Sequence, residues 1–231
     1  MKTVAIIPAA GTGKRMERGV SKQYLSLEGV PILVHTLRKF EEAPAVDVVF
    51  LIVPAGDVDV IRRDMVDYHG LKKVRRVLPG GQERQDSVKA GIDALSEETE
   101  VVVIHDGVRP FVTADLIAMS VEGARKFGAV SLGVPVKDTV KSVETGGWVV
   151  RTMERTKLWL TQTPQAFRRE IIQEAYRRAF SEGFHATDDA SLVERIGIRV
   201  KMIPGTYENI KITTPVDLSV GAILMKNRGK I

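Results

Sequence analysis

Cysteine is absent from the 231 residues, which excludes disulfides, thiolate metal sites and thiol catalysis together. Aromatic residues make up only 6%, a thin supply for stacking on the bases of a single strand. The four histidines, His35, His69, His105 and His185, stand at spacings that match no zinc motif. No apolar run approaches the ~20 residues that span a bilayer. The stretch between Met1-Lys2-Thr3 and Pro8 is too short for a secretory signal core. These absences predict a soluble, cytoplasmic chain with no membrane partner. Charge of one sign is also scarce, since 34 basic against 29 acidic residues leave a net +5. That balance suits an enzyme of anionic small molecules as well as a nucleic-acid binder.

What is present is regular. Apolar strand candidates at residues 4–7, 46–53, 73–78, 101–104, 129–134 and 199–203 alternate with helical spacings. Leu33, Leu37 and Phe40 mark one helical face, Val88, Ile92 and Leu95 a second, and Ile172, Ala175, Tyr176 and Ala179 a third. β-branched strands separated by helices predict an α/β fold, a mostly parallel sheet with helices on both faces. Ligands of such sheets lie beyond the carboxyl ends of the strands. The length allows one large α/β domain with an elaboration or at most two small ones, and a single domain over residues 1–231 is the expectation. One stretch, at about residues 136–159, breaks the alternation. Lys141-Ser142-Val143-Glu144 and Trp148-Val149-Val150-Arg151-Thr152 flank Thr145-Gly146-Gly147, which reads as a β-hairpin turning at the glycines. A hairpin of that size is marginal alone and needs something to pack on, such as a second subunit.

Three segments that follow strands carry the candidate chemistry. Pro8-Ala9-Ala10-Gly11-Thr12-Gly13-Lys14-Arg15-Met16 is a small-residue loop whose backbone can approach a phosphate, with cations to neutralise it and Lys22 shortly after. It lacks the third glycine of a dinucleotide fingerprint and the Ser or Thr of a Walker loop. Gly80-Gly81-Gln82-Glu83-Arg84-Gln85-Asp86-Ser87 opens a helix. There Asp86 and Ser87 serve either as helix caps or as partners of a nucleobase, ribose or phosphate. His105-Asp106-Gly107-Val108-Arg109-Pro110 ends a buried strand. Its aspartate is either a seat for Mg²⁺ beside a triphosphate or half of a structural pair with Arg109. Spacing alone singles out none of Arg155, Thr163, Thr187 and Lys211, and Thr187-Asp188-Asp189 has the look of a helix start.

In order along nearly the whole chain, these strings resemble those of the 2-C-methyl-D-erythritol 4-phosphate cytidylyltransferase family. Pro135-Val136-Lys137-Asp138-Thr139, Thr163-Pro164-Gln165, Ala186-Thr187-Asp188-Asp189-Ala190-Ser191 and Asn209-Ile210-Lys211 extend the match. The resemblance implies a Rossmann-like nucleotidyltransferase sheet with a protruding β-arm that interlocks a homodimer. It also implies transfer of CMP from CTP to 2-C-methyl-D-erythritol 4-phosphate with Mg²⁺, giving the cytidyl diphospho-product and pyrophosphate. By position, Arg15 and Lys22 match the cations that stabilise the triphosphate in the transition state, and Arg155 and Lys211 match residues that position the acceptor phosphate. Pro8, Ala9, Ala10, Gly11, Thr12, Gly13, Gly80, Gly81, Asp86, Ser87 and Asp106 match the nucleotide site. Asp106, Arg109, Thr139, Thr163 and Thr187 match the acceptor site, with Asp106 also beside the metal.

One local departure bears on the acceptor. The family commonly reads His-Asp-Ala-Ala-Arg where this chain has Gly107-Val108, and Val108 also appears in ribitol-5-phosphate cytidylyltransferases. Lys137-Asp138-Thr139-Val140-Lys141 points back to methylerythritol phosphate. A reading of another class, a non-catalytic nucleotide- or RNA-binding module, draws on the basic clusters. Against it stands the absence of any RNA-recognition signature.

Overall fold

The computed structural model describes residues 1–11 and 24–228. In chain order the elements are β1 (Lys2–Pro8), β2 (Ser26–Leu27), β3 (Val30–Pro31), α1 (Ile32–Glu42), β4 (Val48–Val53), α2 (Val58–Ile61), β5 (Val74–Pro79), α3 (Arg84–Asp93), β6 (Thr99–Ile104) and α4 (Ala114–Phe127). They continue as β7 (Ala129–Pro135), β8 (Lys141–Val143), β9 (Val149–Thr152), β10 (Trp159–Arg168), α5 (Arg169–Ser181), α6 (Asp189–Arg195), β11 (Lys201–Pro204) and α7 (Pro215–Arg228). Seven strands form one sheet in the order β11-β7-β10-β6-β1-β4-β5. Six run parallel, and β10 lies antiparallel between β6 and β7.

Alternation along β1 explains the layers. Ala5 and Ile7 face a cluster built with Leu33, Leu37 and Phe40 of α1 and Ile117, Val121 and Ala124 of α4. Val4 and Ile6 face the opposite cluster, built with Val88 and Ile92 of α3 and Ile172, Ala175, Tyr176 and Ala179 of α5. Side chains on a strand point to the two faces by turns, so a strand covered on both sides must be apolar at every position. β1 and β6 are. A third, smaller cluster joins Leu27, Val108, Phe111 and Ile212 to Leu218, Ala222 and Met225 of α7.

The six strands expected from sequence are all present, each within about two residues of its expected limits. β10 was not expected. Pro164 interrupts it with a cis Thr163–Pro164 peptide, and the register to β7 shifts between Thr161 and Gln165. Proline cannot donate to a sheet ladder, so the pattern there does not read as a central strand. The hairpin does form: β8 and β9 pair antiparallel, and Gly146 and Gly147 take φ of +91° and +84° in its turn.

The carboxyl edge of the sheet is stitched by its own backbone. The amide of Ala9 donates to the Ile52 carbonyl at 2.7 Å, that of Gly80 to Val53 at 2.8 Å, and that of His105 to Ile6 at 3.1 Å. Ile212 donates to the Val108 carbonyl at 2.9 Å, which lays the distant segment bearing Lys211 beside the loop after β6. Gly80 is required for this closeness, because a Cβ there would lie 2.5 Å from the Cβ of Ala10.

Candidate active site

Two adjoining cavities open at this edge. The first is lined by Pro8, Ala9, Ala10 and Gly11 after β1, by Gly81 to Arg84 and Ser87 at the start of α3, and by Asp106, Val108 and Lys211. The second is lined by Arg109, Thr161 to Thr163, Gln165, Thr187 and Asp188, and again by Arg84, Asp106 and Lys211. These three shared residues form the boundary. A larger cavity, about 840 Å³, lies at the opposite, amino-terminal edge. Two ion pairs cross its lining, Lys2 with Glu98 at 2.7 Å and Arg125 with Glu100 at 3.3 Å, and none of the site residues expected from sequence borders it, so volume alone does not identify the site.

Asp106 is the electrostatic centre. It is 6% exposed and receives three cations. Arg84 Nε donates to Oδ1 at 3.2 Å, while Arg109 Nε at 3.3 Å and Lys211 Nζ at 2.9 Å approach Oδ2. Burial alone would raise its pKa, but the charges of Arg84, Lys211 and Arg109 outweigh burial and hold the carboxyl well below the usual carboxylate range. Its backbone amide donates to Thr163 Oγ1 at 3.1 Å.

His105 is support rather than chemistry. It is fully buried, and burial pushes its pKa down to about 4, so the ring is neutral at pH 7. Thr163 Oγ1 lies 3.1 Å from Nδ1 and the Arg109 carbonyl 3.1 Å from Nε2. That pairing assigns the ring proton to Nε2, with the threonine hydroxyl donating to Nδ1. Arg109 Nη1 in turn donates to the Asn209 carbonyl at 2.8 Å, and Asn209 Nδ2 donates to the Thr163 carbonyl at 2.8 Å.

The expected residues fall into four groups. Pro8, Ala9, Ala10, Gly11, Gly81, Ser87, Asp106, Arg109, Thr163, Thr187 and Lys211 line one cavity or both. Gly80 and Asp86 stand just behind the lining, and Asp86 closes a capping box with Glu83, accepting the Glu83 amide at 3.0 Å. Thr139 and Arg155 lie at the root of the hairpin and line neither cavity; Arg155 Nη1 donates to the Lys137 carbonyl at 2.8 Å. Thr12, Gly13, Arg15 and Lys22 lie outside the described residues. At the start of α6 the N-cap is Asp188, not Thr187, and it accepts the Ser191 amide at 3.0 Å.

Arg84, Gln162, Gln165 and Asp188 were not singled out from sequence. Arg84 carries a readable signal. It is the first residue of α3, and a cation there opposes the helix dipole, so something else must favour it. The glutamines lie on the strand that proline concealed.

The donor set also limits what metal could bind. Among the described residues no three His, Asp or Glu side chains cluster, so there is no protein cage. Asp106 supplies one ionised carboxylate at the boundary, which fits a magnesium-like ion completed by phosphate oxygens and water. No described helix is long and apolar enough to cross a membrane.

Comparison with known proteins agrees with this geometry. The family model described as 2-C-methyl-D-erythritol 4-phosphate cytidylyltransferase matches residues 3–227. The protein of that description from Syntrophus aciditrophicus is 48% identical over all of this chain and 99% of its own length. The crystal structure of 4-diphosphocytidyl-2C-methyl-D-erythritol synthase from Anaerococcus prevotii superposes with a TM-score of 0.86. It is 32% identical and covers 97% of this chain and 96% of that one. The Thermus thermophilus 2-C-methyl-D-erythritol 4-phosphate cytidylyltransferase superposes with a TM-score of 0.82 at 31% identity, covering 98% and 100%.

Proposed function

This chain belongs to the 2-C-methyl-D-erythritol 4-phosphate cytidylyltransferase family, and on that footing we propose how its residues carry the reaction. It is a nucleotidyltransferase that moves the cytidylyl group of CTP onto 2-C-methyl-D-erythritol 4-phosphate. The observation that carries the assignment of roles is the boundary of Arg84, Asp106 and Lys211 between two cavities. CTP occupies the cavity of Ala9, Ala10, Gly11, Gly81 and Ser87, with Pro8, Gly80, Asp86 and Asp106 shaping that side and Thr12 and Gly13 assigned to the nucleotide by family position alone. The acceptor occupies the cavity of Arg109, Thr163, Thr187 and Lys211.

A phosphate oxygen of the acceptor attacks the α-phosphorus in line. The new O–P bond forms as the bond to the bridging oxygen breaks, and the electron pair leaves on pyrophosphate. The acceptor needs no general base, because the second pKa of a phosphomonoester is about 6 and its oxygens are already anionic. The neutral, enclosed His105 accords with that. The task left to the protein is to hold two polyanions together, which calls for positioning and fixed positive charge. Lys211 and Arg109 meet the acceptor phosphate, and Arg15 and Lys22 meet the triphosphate. A divalent cation such as Mg²⁺, held by Asp106 and the CTP phosphates, would neutralise part of the triphosphate charge when bound.

The arm suggests a homodimer within a single cytidylyltransferase domain. Trp148 is 74% exposed and Val149 and Val150 about as open as surface residues, an apolar tip that a second copy would cover. Arg155 and Thr139, at the arm's root, then meet the acceptor in an assembled pair of subunits. Replacing Trp148 and Val150 together by serine is expected to shift sedimentation from dimer to monomer; a wild-type monomer, or an unchanged dimer in the variant, would refute the arm's role. With no described membrane-spanning helix, a cytoplasmic enzyme is the simplest setting.

The acceptor is tested directly. Purified protein with CTP and Mg²⁺ is expected to release pyrophosphate with 2-C-methyl-D-erythritol 4-phosphate and not with ribitol 5-phosphate. Release only with the ribitol compound would overturn the acceptor, and release with neither would overturn the transferase reading.

A further inference from the structure

Of the two cations shared by the cavities, Arg84 draws part of its support from outside both. Arg84 Nη2 donates to Asp189 Oδ2 at 2.7 Å while its Nε holds Asp106. Asp189 lines neither cavity and is 1% exposed. Its other oxygen accepts the hydroxyl of Tyr176 at 2.6 Å, and Tyr176 is itself 1% exposed. The Asp189 amide donates to Gln165 Oε1 at 3.1 Å. Four elements thus meet at one buried residue: α3 and α5 hold the carboxylate that α6 carries, and β10 holds its backbone amide.

Stability alone does not account for a charge in that place. Its neighbours on α6, Ala190, Leu192 and Val193, are apolar and buried. Burying a carboxylate is costly, and well-packed apolar replacements of buried ion pairs are often neutral or stabilising. What the carboxylate does uniquely is fix a guanidinium. Without it Arg84 has a single anchor, Asp106, and is free to swing onto a triphosphate.

We propose that Asp189 is a positioning residue for cytidylyl transfer: with Tyr176 it locks Arg84 to the wall between the two cavities, where the two anions meet. The proposal rests on the transferase reading above and assigns it a support that lies outside the lining of both cavities. Asp189 acts only through Arg84. Its loss therefore harms the geometry of transfer more than the binding of CTP, which a released guanidinium binds as well or better.

The test is a double-mutant cycle on the full-length enzyme with Mg²⁺, reading kcat, both KM values, calorimetric CTP affinity and melting temperature. Asp189→Asn is expected to lower kcat by roughly 10- to 100-fold, the scale of a small misplacement of a reacting group, with CTP affinity unchanged or tighter. On an Arg84→Gln background the same change is expected to cost kcat less than about threefold, since its route of action is gone. Tyr176→Phe keeps the Asp189–Arg84 pair and is expected to lower kcat about threefold, the worth of one hydrogen bond. An Asp189→Asn enzyme that melts lower but keeps its kcat, or loses as much on both backgrounds, would overturn the proposal. If Asp189→Asn does not fold, Tyr176→Phe decides, and a wild-type kcat there overturns it. A wild-type enzyme that transfers nothing removes the transferase reading and this role with it, a result distinct from an active wild type with unaffected variants.

Discussion

Replacing Lys211 with alanine is expected to lower kcat/KM for the phosphorylated acceptor by ~10²–10³, the usual cost of deleting one charge contact to a reacting group. Lys211 borders both cavities, and its ammonium lies 2.9 Å from Asp106 Oδ2, so it reaches the place where two anions are to be joined. The fold should tolerate the loss. Asp106 keeps Arg84 and Arg109, and the backbone bond from Ile212 to Val108 that seats this segment does not involve the side chain. Lysine 211 also has a partly open side chain, so little buried surface goes with it. Steady-state kinetics with each substrate varied in turn, beside calorimetric CTP binding, separates the outcomes. A defect confined to CTP would show that Lys211 belongs to the nucleotide side.

The second large effect is expected at the triphosphate. Lys22→Ala and Arg15→Ala should each lower kcat by ~10²–10³ while changing CTP affinity far less, because a charge placed for the leaving pyrophosphate gains most as negative charge develops there. Both residues lie outside the described part of the structure, so this expectation rests on the family match over residues 3–227 and on the loop after β1 that precedes them. Rates measured at saturating CTP, together with a binding isotherm, decide it. Equal weakening of ground-state binding with unchanged turnover would make them simple binding residues. Trapping a cytidylylated enzyme would go further and replace direct transfer by a two-step route.

Much of the site was legible because its residues sit immediately after strands. Strands buried on both faces are apolar through their covered stretch, so the glycine or charged residue that soon follows such a run marks the carboxyl edge, as at Gly11 after β1 and Asp106 after β6. The glycine pair itself marks the end of the edge strand β5 at Gly80. Less legible was anything that depended on β10. Thr163 was noted only through family likeness, and Gln162 and Gln165 only as its neighbours in the string and without a role, because Pro164 breaks the alternation that betrays a strand. Arg84 was overlooked for another reason: a charged residue in the first turn of an exposed-looking helix resembles a solvated face until its partners are known.

Local chemistry along the chain, then, was sufficient for the α/β class, the hairpin and the polar segments that end β1, β5 and β6, since each depends on periodicity and turn preference over a few residues. Tertiary structure alone decided that Arg84, Asp106, Arg109 and Lys211 form one cluster and that Asp189 and Tyr176 stand behind it. Those pairings span up to 105 residues, as between Arg84 and Asp189. They arise because parallel strands deliver their loops to one edge and an antiparallel β10 brings α5 and α6 back to meet them, a consequence of strand order that no short window of sequence contains.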